Sequence, residues 1–373
     1  MHQDSNQTAL RIINEVFNSA QDGSLSEALF SVTHKALLNA GNLALAKELA
    51  TLWHLNNKSA LAFPFSAQHF QRIQDPETAR MLFSRSVKRV YVEISSFCNR
   101  RCSYCPNAFI DRISARKFLP DQTLEKIFRE LGSIAYRGGL FFNDYNEPLA
   151  DPNLCDKMAL FKHYCPKALM LIYTNGDYLN RDYLYRLHGA GLDYLSISLH
   201  CKAEWNDAEV SQLLDALGKR LGMTPKVDGL SPGHQLVASF PEIPMEHRVF
   251  VSNYHVVGSN RGQLMPHIGG ATYPDMPCQL PFNDLYIGWD GSILPCCHLH
   301  PDAPEHQRHK VGQLDDFADL FAAYADSPLV EWRRALIAPT RRQPPCDSCI
   351  EHVRDPEQVA RMRALAQEGM GSA

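Results

Sequence analysis

The sequence has no long apolar run and no strong excess of charge of either sign. None of its uninterrupted apolar stretches approaches the roughly 18 residues of a transmembrane helix. The opening residues, MHQDSNQTAL, lack the basic and apolar regions of a signal peptide. The 37 Lys and Arg residues against 41 Asp and Glu leave a net charge of −4, without the basic patch of a nucleic-acid or membrane-surface protein. We therefore expect a cytoplasmic protein with no nucleic-acid and no membrane partner.

Cysteine, by contrast, is abundant, with 11 in 373 residues. The odd number, the long chain and the missing export signal argue against a disulfide framework. In a reducing compartment, thiols at short spacings more often hold metal. The cysteines are grouped rather than evenly spread, at positions 98, 102, 105, 155, 165, 201, 278, 296, 297, 346 and 349.

The chain divides into three predicted regions. Residues 1–87 have apolar side chains at helical spacing, and we expect a helical N-terminal extension that either packs on the main domain or recruits a substrate or partner. Residues 88–270 form the predicted main domain. Residues 271–373 form a smaller unit with a hairpin around Asp290-Gly291 in a type I′ turn and a final helix with Asp355 as N-cap.

Short β-rich runs alternate with helical stretches from residue 88, which is typical of βαβ units and a parallel sheet. Helices are predicted between the runs, for example over Gln122–Leu131, Arg181–Ala190 and Asp207–Leu221. Such an α/β chain forms an open doubly wound sheet or a partial barrel, with the active site at the carboxyl ends of the strands. The predicted strands are Arg89–Ile94, Gly139–Phe142, Leu169–Tyr173, Tyr194–Leu199, Gln235–Phe240 and Arg248–Val256.

Three cysteines, Cys98, Cys102 and Cys105, follow the first predicted strand as CxxxCxxC. Three thiolates on one short loop can hold three corners of an iron–sulfur cube and leave one iron open. A structural zinc site would need a fourth ligand nearby, and the adjacent residues supply neither His nor Cys. The loop therefore favours an iron–sulfur cluster over zinc.

This cysteine loop resembles the signature of the radical S-adenosylmethionine (SAM) superfamily, with Tyr104 at its aromatic position. The resemblance implies a partial (β/α)6 TIM-like barrel and a [4Fe-4S] cluster that binds SAM through its open iron. The segment from Asn143 to Pro148 resembles the family's GGEP segment, although Asp144 and Asn146 replace glycines. Because Asn and Asp tolerate a left-handed backbone, we expect a similar turn.

The resemblance also implies cofactor-binding residues, among them Ser198 unless it is a simple strand-end hydroxyl, and position in the predicted barrel suggests catalytic ones. His200 and Cys201, at the barrel mouth, are candidates for a substrate-side acid or base and a hydrogen-atom donor; a structural histidine and a buried small hydrophobe are the alternatives. Arg261 is a candidate to contact SAM or substrate, unless its segment is only a turn. The predicted cofactor-binding residues are Tyr104, Asn143, Asp144, Asn146, Glu147, Thr174, Asn175, Ser198 and Arg261.

A second cysteine set has the spacing CX12GX4C…CX2C, which resembles the Twitch/SPASM extension of radical SAM enzymes. Four thiolates can close an iron–sulfur or zinc site, and the resemblance implies one auxiliary [4Fe-4S] cluster. Cys297 is an alternative to Cys296 as ligand. The expected ligands are Cys278, Cys296, Cys346 and Cys349.

Histidines lie between Cys297 and Cys346, in a loop that we expect to be solvated rather than metal-binding. They are His298, His300, His306 and His309.

These features imply an enzyme that cleaves SAM reductively to a 5′-deoxyadenosyl radical and removes a hydrogen atom from its substrate. We expect a two-electron oxidation of a small molecule such as a sugar or aminocyclitol alcohol, with flavodoxin or ferredoxin as the reducing partner. One alternative is crosslinking or epimerisation of a precursor peptide. Another is a non-catalytic, structural metal-binding protein.

Overall fold

The computed structural model of the protein describes Thr33 and residues 65–371, apart from 202–204, 232, 269–271, 273, 339–340, 352 and 354–355. The chain divides into two compact units, Met1–Pro64 and Phe65–Ala373, and the second contains the elements given below. The predicted helical extension up to position 64 and the predicted N-cap Asp355 lie outside the described residues. The domain borders at 87 and 270 stay predictions.

One ten-stranded sheet runs through the described residues, in the order β10-β9-β8-β1-β2-β3-β4-β7-β6-β5. Six neighbouring strands, β8, β1, β2, β3, β4 and β7, pair in parallel, and the four outer strands pair antiparallel. The predicted α/β fold with a parallel sheet, as a partial barrel requires, is confirmed. The strands are β1 (Arg89–Val92), β2 (Gly139–Phe141), β3 (Leu169–Thr174), β4 (Tyr194–Leu199), β5 (Lys226–Ser231), β6 (Gln235–Ser239), β7 (Glu246–Ser252), β8 (Asp284–Ile287), β9 (Ser292–Leu294) and β10 (Gly312–Gln313).

Helices connect the parallel strands and cover one face of the sheet. The longer ones follow the expected apolar spacing: α2 buries Leu124, Ile127, Phe128 and Leu131, which recur three and four residues apart. The described helices are α1 (Pro76–Ser86), α2 (Asp121–Ser133), α3 (Leu154–Tyr164), α4 (Arg181–Gly189), α5 (Asp207–Leu221), α6 (Tyr254–Val257), α7 (Leu280–Asn283), α8 (Leu320–Ala325), α9 (Leu329–Ile337) and α10 (Pro356–Gly371).

Strand alternation gives the sheet two different faces. In β1, Val90 and Val92 are fully buried in the main core with the helices, so Tyr91 points to the opposite, inner face. There Tyr91 stacks between Phe141 of β2 and Tyr286 of β8, with ring centroids 4.3 Å and 4.6 Å apart. Stacked aromatic rings thus line part of the barrel interior.

The predicted strand over Gln235–Phe240 exists as β6, but it runs antiparallel to β7 rather than parallel as expected. Only six residues separate the two strands, and a parallel crossover needs a dozen or more. The sequence analysis missed β5, whose residues KVDGLS are mostly exposed and contain a glycine. This strand is stabilised by its pairing with β6 and not by the burial of an apolar face.

The hairpin of β8 and β9 is confirmed, but the predicted turn type is wrong. A type I′ turn requires positive φ at both central residues. Gly291 has a φ of 78°, whereas Asp290 is not among the positive-φ residues. The Gly291 amide donates to the Gly288 carbonyl at 2.9 Å, so a longer turn ends on a left-handed glycine.

The hairpin is also not a separate layer, because β8 pairs with β1 along its full length. The C-terminal unit therefore extends the barrel sheet. Among the residues that the structure describes, no helix has the length and apolar character needed to span a bilayer.

A buried ion network joins the end of β1 to the C-terminal unit. Arg112 Nη1 lies 2.8 Å from Glu93 Oε1, and Arg112 Nε lies 2.8 Å from Asp302 Oδ2. The side chains of Arg112 and Glu93 are 0% and 1% exposed. Breaking one member of such a group leaves a charge buried without its partner.

We predict that Arg112→Met lowers the free energy of unfolding by about 3–5 kcal/mol, because Glu93 loses its cation in a dry environment. Arg72→Met is the matched control. Arg72 pairs with Glu331 at 2.9 Å on the surface, so its loss should cost at most about 1 kcal/mol. Urea unfolding of both variants measures the difference, and equal midpoints would contradict the prediction.

Candidate active site

The first cysteine loop follows β1 and is held by hydrogen bonds on both sides. The Cys98 amide donates to the Arg112 carbonyl at 3.1 Å. Arg100 forms two hydrogen bonds to Asp177, in the loop after β3, at 2.6 and 2.7 Å. Asn99 donates to the same carboxylate at 2.7 Å. The loop is thus fixed at the carboxyl edge of the sheet, as the sequence predicts.

The three thiols of this loop share one partly buried environment. Burial raises the pKa of Cys98 to about 12, and the nearby Cys105 and Cys102 act in the same direction. Burial likewise raises the pKa of both other thiols. Three converging sulfurs, with no fourth protein ligand in the motif, fit a cluster that keeps one open iron.

Glu147 ties together the loops that follow β1, β2 and β3. Its carboxylate accepts hydrogen bonds from the hydroxyl of Thr174 at 2.6 Å and from the amide of Asn175 at 2.8 Å. Its own amide donates to the Phe97 carbonyl at 2.8 Å. Burial raises the pKa of Glu147 to about 7, although these hydrogen bonds oppose the shift. Three of the predicted cofactor-binding residues therefore bind one another and shape this edge.

The turn between β2 and Glu147 differs from our expectation. Asp144 and Asn146 are not among the residues with positive φ, so no left-handed backbone replaces the family's glycines. Instead, Asn146 Oδ1 accepts from the Asp144 amide at 3.1 Å, and Asn146 Nδ2 donates to the Phe142 carbonyl at 3.1 Å. Asn143 Oδ1 accepts from the Tyr173 amide at 3.0 Å. Side-chain hydrogen bonds fix this turn.

An aromatic group surrounds Tyr104 on the other side of the cysteine loop. Tyr104 stacks on Tyr254 with ring centroids 4.8 Å apart, and its hydroxyl forms a hydrogen bond with His200 Nδ1. The Tyr254 hydroxyl donates to Ser198 Oγ at 3.2 Å. Burial, followed by the charge of Arg100, lowers the pKa of His200 to about 4. His200 is therefore neutral near pH 7.

The sequence analysis missed Tyr254 because it extended β7 to Val256. The strand ends at Ser252, and α6 places Tyr254 against the cysteine loop. The sequence feature that could have pointed to Tyr254 is an aromatic residue directly after a barrel strand. Cys201, by contrast, is partly buried and packs against the hydrophobic core, and its role as a hydrogen-atom donor stays a prediction.

The second cysteine set lines one pocket. Its wall contains Cys278, Cys296, Cys346 and Cys349, together with apolar residues, His298, Arg342 and Glu351. Burial raises the pKa of each of these thiols, and neighbouring cysteines add to the effect at Cys278, Cys296 and Cys346. Within the described residues, no three His, Cys, Asp or Glu side chains are arranged for a single metal ion. Four thiols around a pocket fit an auxiliary cluster.

Cys297 faces a different space from Cys296. It does not line the auxiliary pocket, and its pKa responds, after burial, to Asp144 and Arg261 and to a hydrogen bond with Tyr286. The Tyr145 hydroxyl donates to the Cys297 carbonyl at 3.1 Å. The geometry favours Cys296 as ligand and puts Cys297 in the space between the two cysteine sites.

The prediction that the histidine loop is solvated is wrong for three of its four histidines. His298, His300 and His306 are 6%, 0% and 1% exposed. Each has a tertiary partner: Ser259 at 2.9 Å for His298, Asn107 at 3.2 Å for His300, and the Gly262 carbonyl at 2.9 Å for His306. These contacts pack the loop between the barrel and the auxiliary pocket.

Arg261 lies in the same region, with a strained backbone. Its φ is 47° and that of Gly262 is 61°, a conformation that side chains other than glycine rarely adopt. The flanking Asn260 donates to the Ser348 carbonyl at 2.8 Å, beside the auxiliary cysteines. The guanidinium lies 5.7 Å from the Tyr145 ring centroid. Such strain persists only where the surroundings enforce it, so the neighbouring residues hold the backbone of Arg261 in this conformation.

Comparison with known proteins finds a family match over each of the two cysteine motifs. The Radical SAM superfamily profile matches residues 92–201, and the SPASM profile, an iron–sulfur cluster-binding domain, matches residues 278–350. The chain contains a radical SAM domain and, towards its C-terminus, an iron–sulfur cluster-binding SPASM domain. These ranges contain all seven cysteines of the two motifs. These two domains indicate S-adenosylmethionine and two iron–sulfur clusters as cofactors.

Two relatives of this radical SAM enzyme share much of its length. The S-adenosyl-L-methionine-dependent 2-deoxy-scyllo-inosamine dehydrogenase of Niallia circulans is 28% identical over 207 residues, which are 56% of this chain and 72% of the relative. The crystal structure of BtrN in complex with AdoMet and 2-DOIA is 22% identical, with a TM-score of 0.50, and the match covers 70% of this chain and 92% of that one. The structural likeness supports the fold.

We predict that Cys296→Ala removes the auxiliary cluster and leaves about four irons per chain, whereas Cys297→Ala keeps about eight, because only Cys296 lines the pocket. Iron and sulfide analysis after anaerobic purification measures both. A loss of iron in Cys297→Ala, but not in Cys296→Ala, would reverse the ligand assignment.

Arg342 is a buried cation in the wall of the auxiliary pocket. It donates to the Glu351 carbonyl at 2.8 Å and to the Cys349 carbonyl at 3.3 Å. Each electron added to a cluster increases its negative charge, and a nearby cation stabilises the reduced form.

We predict that Arg342→Met lowers the reduction potential of the auxiliary cluster and that Arg342→Lys, which keeps the charge, restores most of it. A redox titration followed by electron paramagnetic resonance measures both clusters separately. The potential of the first cluster serves as the internal control. An unchanged auxiliary potential in Arg342→Met would show that this cation has no such role.

Proposed function

We propose that this enzyme dehydrogenates a secondary alcohol on a polyhydroxylated ring that bears an amino group, such as an aminocyclitol or an amino sugar. The observation that carries the proposal is the identity to the 2-deoxy-scyllo-inosamine dehydrogenase, which extends over 72% of that relative. The polar groups between the two cysteine sites support it, because such a ring needs several hydrogen-bonding partners.

When bound, the clusters and SAM supply a 5′-deoxyadenosyl radical and an electron acceptor. In our proposal Cys98, Cys102 and Cys105 hold the first cluster, and the four cysteines of the pocket hold the second. The aromatic group of Tyr104 and Tyr254 forms one wall of the SAM site, with Ser198 at its edge. Asn143, Asn146, Glu147, Thr174 and Asn175 shape the opposite wall.

The substrate site lies between the two cysteine sites. Arg261, whose guanidinium lies 5.7 Å from the Tyr145 ring centroid, supports this location, because a guanidinium can donate several hydrogen bonds to ring hydroxyls. The stacked rings of Tyr286, Tyr91 and Phe141 line part of the barrel interior and exclude water from it. A dry site protects a reactive radical from competing hydrogen donors.

The reaction requires an external electron donor, and we propose flavodoxin or ferredoxin for this role. All eleven cysteines are free thiols in the structure, in keeping with our proposal of a reducing, cytoplasmic location.

We predict that the anaerobic, reconstituted enzyme converts 2-deoxy-scyllo-inosamine or a related aminocyclitol to a ketone and forms equimolar 5′-deoxyadenosine. With substrate deuterated at its carbinol carbons, the deuterium should appear in the 5′-deoxyadenosine, as mass spectrometry can measure. A Cys102→Ala variant is the control without the first cluster. If no aminocyclitol or amino sugar in a panel stimulates SAM cleavage and ketone formation, the proposed function is wrong.

A further inference from the structure

The side chain of Asp144 ends in a titratable carboxyl group for which the described residues supply no structural partner. Among the described residues it has no hydrogen-bond or ion-pair partner; only its backbone amide is bonded, to Asn146 Oδ1 at 3.1 Å. Burial raises the pKa of Asp144 well above its usual value, with Glu93 acting in the same direction and Arg261 and Arg112 opposing it. The residue is half-buried, so its unbonded carboxylate oxygens are accessible to a ligand.

The residues around Asp144 fix where it lies. Asn143 is bonded to the backbone of β3. The Tyr145 amide donates to Glu93 Oε1, at the end of β1, at 3.1 Å, and the Tyr145 hydroxyl donates to the Cys297 carbonyl at 3.1 Å. Asp144 is therefore held at the carboxyl edge of β2, beside the space between the two cysteine sites.

The charges that face this carboxylate come from several elements. Glu93 follows β1, Arg112 lies in the loop before α2, and Arg261 follows β7; the Tyr145 hydroxyl and the Cys297 thiol are the neutral titratable neighbours. No ion pair within 4.0 Å joins Asp144 to Arg261 or Arg112 among the described residues. Asp144 and Arg261 are therefore close enough to influence each other electrostatically without forming an ion pair.

The other acidic groups at this edge already have partners. Glu93 and Asp302 are paired with Arg112, Asp177 is paired with Arg100, and Glu147 accepts hydrogen bonds from the loop after β3. His200 is hydrogen-bonded to Tyr104. Among these acidic groups of the described residues, Asp144 is thus the one whose carboxylate has no partner.

We propose that Asp144 is the base that accepts the hydroxyl proton of the substrate alcohol. The inference rests on the proposed dehydrogenation. In the balanced step, the carbinol of the substrate loses one hydrogen atom from carbon to the 5′-deoxyadenosyl radical, one proton from oxygen to the Asp144 carboxylate, and one electron to the auxiliary cluster. The C–H and O–H bonds break, and the C=O double bond of the ketone forms.

Asp144→Asn tests this role with 2-deoxy-scyllo-inosamine, deuterated at its carbinol carbons, as the probe. We expect ketone formation to fall about a hundredfold, while the probe binds to the SAM-loaded protein with a Kd within about twofold of wild type, as measured by equilibrium dialysis. Deuterium transfer to 5′-deoxyadenosine should continue. Asp315→Asn, at an acidic residue whose side chain is 84% exposed, is the matched control.

The pH profile separates a base from a structural residue. In the wild type, kcat should rise with pH as Asp144 loses its proton, and Asp144→Asn should lack this rise. In Asp144→Ala, added acetate should restore part of the ketone formation, and the same acetate should not change Asp315→Asn.

Each of the remaining outcomes of these experiments would overturn a stated part of the proposal. Wild-type kcat and pH profile in Asp144→Asn would overturn the role of Asp144 and leave the dehydrogenation intact. A raised Kd with unchanged kcat would make Asp144 a binding group for the substrate amine instead.

If Asp144→Asn lacks either cluster by iron analysis, the acetate rescue of Asp144→Ala becomes the deciding experiment. The absence of rescue would then overturn the proposal. No ketone from the wild type with any aminocyclitol would overturn the proposed function and this inference with it.

Discussion

The buried ion pairs of Arg112 hold the two cysteine sites in a fixed relation. Its guanidinium joins Glu93, at the end of β1, to Asp302, in the loop between the auxiliary cysteines. Its carbonyl also accepts the amide of Cys98. Because Arg112 and Glu93 are removed from water, separating them would leave each charge buried without a compensating partner. The first cysteine loop, the end of β1 and the auxiliary unit therefore keep one arrangement.

Around this connection the site separates into two chemical environments. The side of Tyr104, Tyr254 and His200 is aromatic and neutral, since burial lowers the pKa of His200 to about 4. The side of Asp144 and Arg261 is charged. An aromatic wall suits a planar nucleoside, and charged groups suit a polyhydroxylated amine. One barrel mouth can thus keep a cofactor and a substrate in separate places while their reacting atoms approach.

Local patterns predicted the parts of this site that depend on short spacing. The cysteine loop, the hairpin that precedes Cys296 and the helical and strand periodicities follow from neighbouring residues, and the sequence shows them directly. The burial of His300 did not follow, because its partner Asn107 is 193 residues away. The same holds for Tyr254 beside Tyr104 and for the unpaired carboxylate of Asp144. Such contacts depend on how distant loops meet at the sheet edge, which no local pattern records.

The pairing of β8 with β1 makes the auxiliary unit part of the barrel rather than an appendage. Without β8, the first barrel strand would present its backbone donors and acceptors along an open edge, which invites pairing with another chain. The unit therefore covers the open edge of β1 in addition to holding the auxiliary cluster. A shortened chain that ends before residue 284 would lose solubility along with its second cluster, so the barrel cannot be studied as an isolated module.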